Sequence, residues 1–195
     1  MRAYDFLVEE IISPSMHPNT MSLWHGGDLN ATVKYKSGRT EYGPGLYLIT
    51  KYSVAQKYAK GSRKLYMITI AKGASSDEVF IPLDDVVKFT NSYTAVAKRK
   101  SVSEYIQRLS KDGHTIRAQV LINILINENA IKPSNMNMLR EFLVHSGVDY
   151  QVVPNAFGWN DAVMVVLFNM NKVVNSRRIM PNDDIQQFDL PTTFA

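Results

Sequence analysis

The chain has no cysteine, and that absence removes a disulfide framework, a thiol nucleophile and any thiolate metal site. It also lacks an apolar run near the roughly eighteen residues of a membrane-spanning helix. Its opening, Met1-Arg-Ala-Tyr-Asp-Phe-Leu-Val-Glu-Glu10, places acids where a signal peptide needs an unbroken apolar segment. Together these absences predict a cytoplasmic protein with no membrane partner and no metal. No Walker A loop, Gly-x-Ser-x-Gly elbow or His-Glu-x-x-His helix occurs. Histidine is scarce, with His17, His25, His114 and His145 as the only four. The remainder is ordinary: 195 residues, 45% hydrophobic and 21% charged, predict one domain spanning 1–195.

Against that plain background one stretch stands out. Trp24-His25-Gly26-Gly27 ends an apolar run, and Tyr42-Gly-Pro-Gly-Leu-Tyr47-Leu-Ile-Thr50 follows it. Ser53-Val-Ala-Gln-Lys-Tyr58-Ala59 comes next and reads as a helical turn. A glycine-pinched turn thus leads into a short strand carrying Tyr47, and Tyr58 lies eleven residues further on. Two aromatic faces at such a spacing can flank a flat ligand. A planar cation suits them best, because the ring quadrupole attracts positive charge and stacking adds buried area. Oxidised nicotinamide is such a cation. The plain alternative is that Tyr47 and Tyr58 are core residues among the chain's ten tyrosines. Gly43-Pro44-Gly45 is not half of a Rossmann loop, since Leu48 stands where the third glycine belongs and no long helix follows.

The ordered set His25-Gly26, Gly-Pro-Gly-Leu-Tyr47 and Ala55-Gln-Lys-Tyr58 resembles the first two signatures of the ADP-ribosyltransferase superfamily. The branch is the His-Tyr-Glu one, with diphtheria toxin and the poly(ADP-ribose) polymerases, which places the chain with toxin-like effectors. The resemblance covers residues 20–60 well and 145–175 loosely. It implies NAD as co-substrate, with His25 on a ribose hydroxyl and the Gly26 backbone on the nicotinamide amide. Tyr47 and Tyr58 then sandwich the ring. It also implies an α+β fold with a split, mostly antiparallel sheet and NAD in the cleft.

The family's third signature is an acid followed by an apolar strand that ends in an aromatic. Val165-Val166-Leu167-Phe168-Asn169 fits that strand, but a gapless match puts Met164 at the glutamate position. Cleaving the nicotinamide–ribose bond develops positive charge on the ribose, which a carboxylate stabilises. Asp161, three residues earlier, is the nearest acid and the first candidate for a catalytic role beside His25 and Tyr47. Asp149 and the acids of the 28–42 loop are further candidates. The remaining alternative is a non-catalytic NAD-binding or nucleic-acid-binding module that has lost its glutamate.

Coarser patterning predicts a helix over 2–12, a strand over 21–25 and a loop over 28–42. Strands follow at 46–49, 64–71 and 78–82, with a helix over 53–60 that Ser53 could cap. Residues 85–146 read as a helical insertion, with helices over 103–112, 115–128 and 133–146. Strands return at 148–153 and 162–168. Helices and strands that segregate this way predict α+β.

Net charge is +4, and the basic residues cluster at Lys98-Arg99-Lys100, at Arg177-Arg178 and over 57–64. Such clusters favour an anionic macromolecular acceptor, nucleic acid or protein, with plain solvation of exposed faces as the alternative.

Overall fold

The computed structural model describes residues 19–29, 41–60, 64–156 and 162–180. Eight strands and five α-helices lie within them. The strands are β1 (Thr20–Gly26), β2 (Leu46–Ile49), β3 (Leu65–Ala71), β4 (Phe80–Pro82), β5 (Thr115–Arg117), β6 (Tyr150–Val153), β7 (Met164–Leu167) and β8 (Val173–Ile179). The helices are α1 (Tyr52–Ala59), α2 (Leu83–Tyr93), α3 (Arg99–Leu109), α4 (Ala118–Asn127) and α5 (Met136–His145). Six strands form one sheet in the order β6-β7-β2-β1-β3-β8, and β4 pairs with β5 separately. Every pairing between these strands is antiparallel, and the class is α+β.

Period-two alternation sorts the sheet's side chains onto two faces. Leu23, Leu48, Ile68, Ile70, Val165 and Leu167 share one face. Trp24, Ile49, Leu65 and Met67 face the other way and pack with Val54, Ala55 and Ala59 of α1. On that second face Met164, Val166 and Phe168 continue into the core of the helical block, among Leu121, Leu125, Leu139 and Leu143.

The sheet is joined unevenly. β1 and β3 pair at seven positions, from Thr20↔Ala71 to Gly26↔Leu65. β1 and β2 share the single register pair Trp24↔Ile49. Beyond it the ladder stops, so His25 and Gly26 have no register partner in β2. Two three-stranded halves, β6-β7-β2 and β1-β3-β8, are thus hinged at one point, with an opening between the ends of β1 and β2.

Several sequence-based boundaries shift, each for a physical reason. α1 starts at Tyr52 with Lys51 as its N-cap and no side-chain cap, so Ser53 sits inside the first turn. Tyr52 stacks edge-on against Trp24 at 5.2 Å, and this packing outweighs the capping preference of serine. Gly113 does not cap a helix. α3 stops at Leu109, and Asp112 and Gly113 (φ 52° and 69°) form the turn into β5. The stretch 115–128 begins as strand because Ile116 pairs with Ile81, and becomes helix at Ala118. β8 was not apparent in the sequence. As an edge strand with four exposed residues at Val174–Ser176 and Arg178, it shows no alternation. The helix over 2–12, most of the 28–42 loop and Asp161 lie outside the described residues.

Candidate functional site

Tyr47 is placed by the turn before it. Gly43 adopts φ +107°, a conformation that side chains resist, and its carbonyl accepts the Tyr47 hydroxyl at 2.8 Å. The backbone N–H of Tyr42 donates to the same hydroxyl at 3.4 Å. Held at its far end, the ring has little rotameric freedom left, which is what a stacking platform requires.

His25 closes the opening between β1 and β2. Its Nδ1 lies 2.9 Å from the carbonyl oxygen of Tyr47, where a ladder bond would otherwise run. A carbonyl only accepts, so Nδ1 carries the proton. Burial pushes the imidazole pKa below 6.5, opposed by that hydrogen bond and by the Asp28 carboxylate. The ring is therefore neutral at physiological pH, and its Nε2 is a bare acceptor. Nε2 is buried and has no hydrogen-bond partner among the described residues. Buried polar atoms are usually satisfied, so an orphan acceptor of this kind suits a ligand hydroxyl.

α1 brings the second tyrosine. Gly26 lets the helix approach: a Cβ there would lie 1.9 Å from the Ala55 carbonyl oxygen and 2.8 Å from the Ala59 nitrogen. The missing side chain thus makes room for α1. Tyr58 leaves the buried side of α1 and is 56% exposed, forming an outer wall. Desolvation, then the nearby Glu41 and Tyr42, raise its pKa above 10.0, so the phenol stays neutral.

His25, Gly26, Tyr47 and Tyr58 line one pocket of about 340 Å³, together with Trp24, Tyr42, Ile49, Ala55, Met164 and Glu41. The four residues nominated for NAD from separate motifs are therefore brought together at the split. This volume is at the lower end for ligand pockets, enough for one ring and its sugar. His25 Nε2 fits a ribose hydroxyl, and aromatic walls fit a flat cation.

The carboxylate candidates separate clearly. Met164 is buried and lines the pocket, so the position matched to the family glutamate carries a thioether. Its register is pinned on one side by Ile49 and on the other by Val153. Thr50 also fixes the preceding residue, accepting from the Val163 N–H at 3.1 Å. Asp149 lies away from the pocket. Its oxygens accept from the Ala74 N–H at 2.9 Å and the Asn169 amide at 2.7 Å, and Lys172 stands 3.2 Å away. It holds the loop before β4 onto the far end of β7. Glu41, from the 28–42 loop, is the only carboxylate lining the pocket among the described residues. Its signal in the sequence was its place immediately before the glycine turn. Trp24 and Tyr42, also in the lining, belong to the same two motifs, in which the sequence gives them no role of their own.

The basic clusters diverge. Arg177 pairs with Met67 and Arg178 with Tyr66, so strand alternation sends the two arginines to opposite faces. Lys98 pairs with Glu128 at 3.8 Å, and Arg99 donates to the Thr94 carbonyl at 3.3 Å. No metal-binding group of His, Asp or Glu side chains, and no helix long and apolar enough to cross a membrane, occurs among the described residues. Comparison with protein-family models, with curated proteins and with solved structures finds no match for this chain.

Proposed function

We propose that the chain is an ADP-ribosyltransferase that takes NAD into the split between β1 and β2. One observation carries this reading: His25, Gly26, Tyr47 and Tyr58, chosen from ordered motifs, line the same pocket. Nicotinamide lies between Tyr47 and Tyr58, and a ribose hydroxyl donates to His25 Nε2. The bond between nicotinamide and ribose breaks with its electron pair leaving on nicotinamide. A nucleophilic O–H or N–H of a macromolecular acceptor then bonds to the ribose carbon and gives up its proton. Glu41 is the carboxylate best placed to oppose the developing positive charge and to take that proton. Asp161, the residue nominated from sequence, is the competing assignment.

A second reading, NAD binding without transfer, is favoured by Met164 at the glutamate position. Incubating the pure protein with labelled NAD and a cell lysate separates the two. Transfer predicts free nicotinamide and label on a macromolecule, reduced about 100-fold or more by Glu41→Gln with NAD affinity retained. If Asp161→Asn has that effect and Glu41→Gln does not, the carboxylate is Asp161. Binding without nicotinamide release establishes the second reading, and no NAD binding overturns both.

A further inference from the structure

A pocket of about 340 Å³ holds the nicotinamide end of a dinucleotide and leaves its ADP half outside. The sheet provides one direction for that half. His25 pairs with Tyr66 across β1 and β3, and Tyr66 pairs with Arg178 across β3 and β8. Directly opposed residues of antiparallel strands share a face, so imidazole, phenol and guanidinium form one row. The rings of His25 and Tyr66 lie 6.3 Å apart. With strands spaced about 4.8 Å apart, the row is roughly 10 Å long between the backbones of its end members.

Arg178 ends this row on the exposed edge strand. It makes no ion pair and no side-chain hydrogen bond among the described residues. Lys64 lies on the same face two residues before Tyr66 and is bound to Asp28 at 2.8 Å. Arg178 is therefore the uncommitted cation in line with His25, and its planar fork suits phosphate oxygens.

We infer that the His25–Tyr66–Arg178 row is a second subsite, in which Arg178 binds the diphosphate of the dinucleotide whose nicotinamide occupies the pocket. The inference rests on the proposed NAD reading and adds to it a direction and an anion-binding residue. Arg177, on the opposite face, takes no part.

Calorimetric titrations of NAD, ADP-ribose and nicotinamide into the full chain test this. Arg178→Gln should weaken NAD and ADP-ribose about tenfold or more, the scale of one charge-assisted hydrogen bond, and leave nicotinamide unchanged. Arg177→Gln should leave all three unchanged. The wild-type affinity for NAD should fall with added salt, and Arg178→Gln should flatten that slope. If NAD binds the wild type and Arg178→Gln equally well, the subsite is wrong and the pocket stands. If Arg178→Gln weakens only single-stranded RNA, the row serves a nucleic acid instead. If NAD does not bind the wild type, the pocket reading and the subsite fall together.

Discussion

The junction around Asp149 and the opening between β1 and β2 use their polar groups differently. At the junction Asp149 accepts from Ala74 and Asn169 and stands beside Lys172, while Ser75 Oγ and Ser76 Oγ close by are buried without a partner among the described residues. At the opening the β1–β2 ladder stops after Trp24↔Ile49, the rung that leads on to Met164, a histidine nitrogen is buried without a partner among the described residues, and aromatic side chains line a pocket. The junction uses one carboxylate to hold two loops together. At the opening the unmatched His25 Nε2 lies beside a pocket, and the proposed NAD reading uses it. The contrast separates Asp149, committed to a backbone N–H and an amide, from Glu41, which lines the pocket.

The largest expected effect is at the Asp149 junction. Asp149→Ala removes the acceptor for a backbone N–H and an amide, and leaves Lys172 without its carboxylate. We expect a loss of about 2–4 kcal/mol in urea unfolding. His25→Ala should cost about 1 kcal/mol or less, because it removes one hydrogen bond and an unmatched acceptor together. Equal losses in the two variants would erase the contrast between the junction and the opening.

This contrast also explains what the sequence could and could not convey. Local features were legible: the strand over Leu46–Ile49 and the turn that sets Tyr47 depend on neighbours within a few residues. The α+β class followed from the same local patterns. The role of Asp149 was not legible, because its partners at Ala74 and Asn169 are brought together only by the sheet. That Gly26 lets α1 approach was not legible either, because Ala55 and Ala59 meet it only once the helix packs on β1. The pairing of Arg178 with the His25 row depends on β8, a strand whose exposed polar residues hide its period.

A smaller effect sharpens the site itself. Tyr47→Ala and Tyr58→Ala should each weaken NAD by about 1–2 kcal/mol, the range of desolvated cation–aromatic contacts. Tyr47→Phe should lose less, since it keeps the ring and gives up only the hydroxyl bond to Gly43. If both alanine variants keep wild-type affinity, the sandwich between β2 and α1 is wrong.

The smallest effect is a pH dependence. His25 is held neutral in the fold with its pKa below 6.5, so the unfolded chain takes up its proton first as pH falls. The contribution of neutral His25 to stability is complete above 6.5 and is lost as pH falls from there toward the folded value. NAD affinity should follow the same sign, constant above neutrality and falling once Nε2 is protonated. An affinity that rises on acidification would contradict an acceptor role for Nε2.

The most direct test of the central claim is calorimetry of NAD against the wild type and His25→Ala, with melting curves of both proteins. The account predicts that NAD binds the wild type, that His25→Ala weakens it about fivefold, and that the two melting temperatures stay close. Unchanged NAD affinity with a sharply lowered melting temperature would make His25 a structural residue and contradict the account.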